Sequence, residues 1–104
     1  MITVVTAFKL PKPITREEAR QIFLSTAPKY RGVSGLFRKC YVLSEDGTTA
    51  GGIYLWQSRA QAEAMYSEDW KVFVREKYNT EPSVTYFDCP VVVDNVTNEI
   101  ISDE

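Results

Sequence analysis

The sequence predicts one α+β domain with the element order β-α-β-β-α-β. Three observations lead there. Four stretches alternate in the manner of strands, Ser/Thr-x-x-Glu/Gln motifs open apolar-periodic stretches in the manner of helices, and an Asp-Gly pair separates two of the strands. A chain of 104 residues fits one such domain.

Residues 2–9 alternate and are rich in Val, Ile, Thr and Phe, as a strand requires. Pro11 and Pro13 end it, because proline has a fixed φ and no amide to donate. Thr15 and Glu18 then form a capping box, and Ala19, Ile22, Phe23 and Ala27 follow at helical spacing up to Pro28. Residues 36–44 and 49–57 read as two strands around Glu45-Asp46-Gly47-Thr48. Ser58 and Gln61 predict a second capping box on a short helix through Ala60, Ala64 and Met65. Ser67-Glu68-Asp69 predicts a further helix start, with Trp70, Phe73, Val74, Lys77 and Tyr78 as its buried stripe. Residues 83–93 give the last strand, interrupted by Pro90. The domain is expected over residues 1–95, with residues 96–104 as an acidic tail. The order is the ferredoxin-like split βαβ pattern, which by itself fixes no activity.

Composition removes several classes of function. The net charge is −2, from 12 basic and 14 acidic side chains without a basic block, so no nucleic-acid partner is expected. No apolar run approaches the roughly 20 residues that cross a bilayer, so no membrane partner is expected. The first eight residues show neither a basic leader nor a cleavage site, and a cytoplasmic protein is expected. Cys40 and Cys89 are read as small buried hydrophobes rather than a bridge. The chain contains no histidine. That excludes Ser-His-Asp and Cys-His nucleophilic sites, His-ligated haem and the usual zinc hydrolase sites, and two isolated cysteines exclude a Cys₄ cluster. No metal and no cofactor are expected, leaving the chemistry to Tyr, Trp, Lys, Arg, Asp, Glu, Asn, Ser or the substrate itself.

The central hairpin offers two chemically distinct faces. A two-residue type I′ turn at Asp46-Gly47 pairs Glu45 with Thr48, Tyr41 with Gly52, Lys39 with Tyr54 and Phe37 with Trp56. One face then carries Phe37, Lys39, Tyr41, Tyr54 and Trp56, and the other Cys40, Val42, Ile53 and Leu55, with Arg38 near its end. A three-residue loop pairing Ser44 with Thr48 would mix these sets. The aliphatic face is expected to pack under the helices. The aromatic face, with its polar tips, is expected to line a cavity away from them.

The run Ala50-Gly51-Gly52-Ile53-Tyr54-Leu55-Trp56 resembles the YdhR-type mono-oxygenase family, as do Gly35-Leu36 leading to Lys39 and the closing Tyr86-Phe87-Asp88. The resemblance implies a dimeric α+β barrel, in which two open sheets face each other and leave a cavity over each. Related families of this architecture oxidise aromatic molecules with O₂ and no bound metal or flavin. A homodimer is also expected on physical grounds, since so small a core hardly encloses a drug-sized pocket alone.

On this reading Lys39 and Asp88 are the candidate catalytic bases, and Phe37, Tyr41, Tyr54, Trp56 and Tyr86 the substrate-binding walls. The expected function is a cofactor-independent mono-oxygenase acting on a small aromatic or quinol-like molecule. The alternatives are a non-catalytic small-molecule-binding or stress-response module, and an isomerase or lactone-processing enzyme on the same scaffold. Trp56→Ala is expected to remove a pocket wall and leave the fold intact.

Overall fold

The computed structural model describes residues 1–103. Strand β1 (Ile2–Lys9) leads to helix α1 (Arg16–Thr26) and a 3₁₀ turn over Ala27–Tyr30. Strands β2 (Leu36–Leu43) and β3 (Thr49–Trp56) form the hairpin. Helices α2 (Arg59–Met65) and α3 (Glu68–Tyr78) precede β4 (Ser83–Asp88), β5 (Val91–Asp94) and β6 (Glu99–Ser102). The main sheet has the order β2-β3-β1-β4, antiparallel throughout, as the split βαβ pattern requires.

The local signals act as the sequence predicts at most element ends. Thr15 and Glu18 form a full capping box on α1, satisfying two orphan donors reciprocally. Ser58 caps α2 by accepting from the Gln61 amide, but the Gln61 side chain turns to Ser58 and Ser34, so only half of that box forms. Ser67 caps α3, and Asn79 closes it in the left-handed region at φ 56°. Lys77 is exposed, so the α3 stripe consists of Trp70, Phe73, Val74 and Tyr78.

The hairpin loop corrects the turn and keeps the register. Only Gly47 has a positive φ, 74°, whereas a type I′ turn needs two such residues. Ser44 N–H donates to Thr49 O at 2.8 Å, closing the four-residue loop Glu45–Thr48. The Asp46 carboxylate accepts from the Thr48 amide, the Thr48 hydroxyl and the Ser44 hydroxyl, which holds it well below the usual carboxylate range, at about 2. Two- and four-residue loops on one axis give the same pairs, so Tyr41 faces Gly52 and Lys39 faces Tyr54. Beyond Lys39 a β-bulge intervenes. Trp56 pairs with Leu36, and Phe37 is extruded to 55% exposure.

The faces are reversed relative to the sequence expectation. Tyr54 and Trp56 lie under the helices, at 1% and 0% exposure, with Ile2, Val4 and Phe8 of β1 beside them. Ile53 and Cys40 are exposed on the other, open face. Neither Cys40 nor Cys89 is fully buried, and both are free thiols. The physical reason lies in the helices. Tyr66 and Trp70 present aromatic rings whose polar tips meet those of the sheet and turn. The Trp56 indole N–H donates to Tyr66 Oη at 3.0 Å, and the Trp70 indole N–H to Tyr30 Oη at 3.1 Å. Tyr66 stands edge-on to Tyr54, Trp56, Trp70 and Tyr86 at centroid separations of 5.0–6.2 Å. No buried side-chain nitrogen or oxygen among the described residues lacks a partner. An aromatic core with satisfied tips buries more area than the aliphatic alternative.

The C-terminal segment also differs from expectation. Pro90 divides the predicted last strand, and the segment read as tail returns as β6 to pair with β5. Arg38 of β2 meets Asp94 at 2.9 Å, and the N-terminal ammonium bonds Asp103, so the small hairpin is tied to the main sheet.

Candidate functional site

Glycines in β3 make the site possible. A Cβ on Gly52 would stand 2.9 Å from the Tyr54 ring and 3.1 Å from the Lys39 stem, so both side chains occupy the room above that residue. A Cβ on Gly51 would meet Thr6 O at 1.9 Å, which no side chain tolerates. The Gly-Gly pair thus brings β1 close and lets Lys39 fold back over the sheet.

The Lys39 ammonium sits in a cage of tyrosines. Its Nζ lies 3.5 Å from the Tyr30 ring centroid, 3.7 Å from Tyr41 and 4.9 Å from Tyr54. Burial, assisted by the nearby charge of Lys29, pushes its pKa down to about 7. A lysine poised there is half neutral at neutral pH and able to take a proton. Tyr41 is raised from its ordinary value by burial, against a 2.8 Å hydrogen bond with Thr26. Tyr54 is pushed far up by burial and so stays a neutral phenol, while Tyr78 at the far wall is pushed up to about 12.

Lys39 borders two spaces. One is a small, partly open cavity of about 20 Å³ between sheet and helices, lined among others by Thr6, Tyr54, Trp70, Phe73 and Tyr78. It has room for one molecule of roughly the size of water. The other is an open groove of about 290 Å³ beside the 3₁₀ turn, bordered by Arg31, Leu36, Phe37 and Arg38. Tyr30, Lys39 and Tyr41 line both and form the wall between them. Among the described residues no aspartate or glutamate lines either space.

The expected site residues therefore divide. Lys39, Tyr41 and Tyr54 come together at the cavity, and Phe37 joins Lys39 and Tyr41 at the groove. Trp56 lies behind Tyr54 in the core, 6.4 Å away in a near-parallel stack, and lines neither space. Tyr86 is half-buried beside Tyr66, with the Arg59 guanidinium 4.4 Å over its ring. Asp88 is exposed and pairs with Ile2 at the end of β4. Since β2 and β4 are opposite edges of a four-stranded sheet, Asp88 and Lys39 lie about 14 Å or more apart. The structure does not bring the two expected bases together. Tyr30 and Arg31 were missed, because they sit in or beside a turn that carries no strand or helix periodicity, and Thr26 because it is a polar residue at the end of a helix whose apolar stripe alone was read. The one sequence signal for Tyr30 and Arg31 is Tyr30-Arg31-Gly32, two residues beyond the Pro28 helix stop. Among the described residues no group of three His, Cys, Asp or Glu side chains is placed to hold a metal.

The sheet order and the helices on one of its faces define a ferredoxin-like α+β domain. The family described as "Putative mono-oxygenase ydhR" matches residues 4–95, and the chain belongs to that family. No curated protein matches it. Among solved structures, it is similar to ActVA-Orf6, a monooxygenase of Streptomyces coelicolor bound to nanaomycin D. The TM-score is 0.62 at 18% identity, over 83% of this chain and 84% of that one. It is also similar to SnoaB, a cofactor-independent oxygenase of Streptomyces nogalater, with a TM-score of 0.60 at 15% identity over 85% and 91%. A third is described as a "putative antibiotic biosynthesis monooxygenase" from Deinococcus radiodurans, with a TM-score of 0.66 at 11% identity over 90% and 97%. No helix is long and apolar enough to cross a membrane among the described residues.

Proposed function

We propose that this protein is a mono-oxygenase that oxidises a small electron-rich aromatic or quinol-like molecule with O₂, without a bound metal or flavin. The observation that carries this reading is the Lys39 amine, caged by three tyrosines and facing no carboxylate among the described residues. The ring occupies the groove against Tyr41 and Phe37, and the small cavity behind Lys39 takes O₂. Neutral Lys39 accepts the proton of a phenol or of an activated ring carbon, leaving a carbanion or phenolate that reduces O₂. Tyr54, a neutral phenol at the cavity, donates a hydrogen bond to the developing oxygen anion, while Tyr41 is held in place by its bond to Thr26. With an anthrone-type substrate the balance closes without another reductant. The CH₂ becomes C=O, one oxygen atom of O₂ enters the product, and the other leaves as water. The four electrons come from the substrate. An oxygen electrode tests this: anthrone or a naphthohydroquinone should consume O₂ faster with the protein than without. A panel of such compounds that binds yet drives no uptake would sink the oxygenase and favour the non-catalytic binding module.

Dimerisation belongs to the same proposal. The open sheet face carries Val5, Val42, Ile53 and Leu55, with Phe87 51% exposed, and Val92 and Ile101 of the β5–β6 hairpin line a groove with Leu55 and Phe37. So large an apolar face is uncommon on a monomer. Two copies pairing through it would close a barrel, leaving the Lys39 site on the outer, helix-covered side of each sheet. Light scattering at micromolar concentration should give twice the 11.9 kDa chain mass, and a monomer mass would contradict it.

A further inference from the structure

The groove beside Lys39 carries more charge chemistry than proton transfer uses. It is bordered by Arg31, Arg38 and Lys39, and no acidic side chain among the described residues lines it. The three cations are not equivalent. Arg38 is already engaged by the Asp94 carboxylate at 2.9 Å. The Lys39 amine is folded back over the tyrosine rings. Arg31 takes part in no ion pair among the described residues. Its backbone is fixed by an N–H bond to Pro28 O at the end of the 3₁₀ turn, and Gly32 at φ 75° turns the chain immediately after it. An uncommitted guanidinium is therefore carried by a fixed stretch of backbone beside a groove whose floor is Tyr30 and Tyr41.

We infer that Arg31 is a specificity-determining residue, which captures a carboxylate carried on the ring of the aromatic substrate. This rests on reading the groove as the place of the ring. A guanidinium fork matches a carboxylate in two parallel hydrogen bonds. One free cation matches a monoanion rather than a phosphate dianion. A volume of about 290 Å³ suits a bicyclic ring bearing such a group. With the carboxylate at Arg31, the ring lies across Tyr30 and Tyr41, and the edge to be oxidised is directed toward Lys39.

Calorimetric titration without O₂ tests this with 2-naphthoate and 2-naphthylmethanol, which share a ring system and differ in charge. The wild type should bind the carboxylate about tenfold more tightly than the alcohol. Arg31→Gln should abolish that preference while leaving the affinity for the alcohol unchanged, and Arg31→Lys should keep part of it. Arg31 is exposed, so thermal unfolding of Arg31→Gln should match the wild type. Equal affinities in the wild type, a preference that survives Arg31→Gln, or binding of neither compound would overturn the inference. Since no turnover is measured, a protein that passes here and consumes no O₂ would sink the oxygenase reading alone.

Discussion

Trp56→Ala should destabilise the domain by about 3–5 kcal/mol, enough to unfold much of the population if the wild type has an ordinary stability of about 5–15 kcal/mol. The indole is fully buried, stacks on Tyr54 and stands edge-on to Tyr66. Truncation leaves a cavity and strips Tyr66 Oη of the N–H that it accepts at 3.0 Å. Trp56→Phe keeps most of the volume and loses the hydrogen bond, so it should cost roughly 1–2 kcal/mol. Urea titration checks both. A Trp56→Ala protein as stable as the wild type would place this side chain outside the core. The sequence expectation of an intact fold rested on the reversed faces, and burial at Trp56 overturns it.

Lys39→Met should move stability and activity in opposite directions. The amine is costly to bury with charge, whereas a methionine fills the same space beside three rings without that cost. Its folded pKa, about 7, lies below the ordinary lysine value of 10.5. The unfolded chain therefore holds a proton between those two values that the folded chain does not, and stability contributed at this site rises with pH across that window. Below about pH 7 both states are protonated and the full penalty stands. Lys39→Met should accordingly be more stable than wild type by about 1–3 kcal/mol near pH 7, after discounting for partial solvent access, with the advantage shrinking toward pH 10. Denaturant unfolding at pH 6, 8 and 10 measures it; a gap that widens with pH would contradict the assignment. If Lys39 takes the substrate proton, the same variant should lose O₂ uptake by about 10²-fold or more, and wild-type activity should rise through pH 7 as the amine becomes neutral.

The fold was legible where chemistry is local. Thr15 with Glu18, Ser67, the prolines and the Asp46-Gly47 loop each mark an element end through their own side chain or φ, and these appear where expected. Alternation in β2 and β3 separated the hairpin into the two sets that the structure keeps apart, Phe37 excepted, since no periodicity announces a bulge. Which set faced the helices was not legible from the hairpin alone. It depends on Tyr66 and Trp70 approaching from another part of the chain, and the aromatic stripe of α3 was the available hint. The β5–β6 hairpin escaped notice because its four-residue strands are too short to show a period. At the site, Lys39 between Tyr41 and Tyr54 followed from register, whereas Tyr30 and Arg31 required knowing where the 3₁₀ turn lies over the sheet.

The central claim is that ligand chemistry takes place on the helix side of the sheet, at Lys39, and not on the open face. Titration of ¹⁵N-labelled protein with 1-naphthol, followed by amide chemical shifts, locates the bound ring directly. Shifts concentrated at Tyr30, Arg31, Lys39 and Tyr41 are the predicted result. Shifts confined to Ile53, Leu55 and Phe87, with the Lys39 region unmoved, would contradict it.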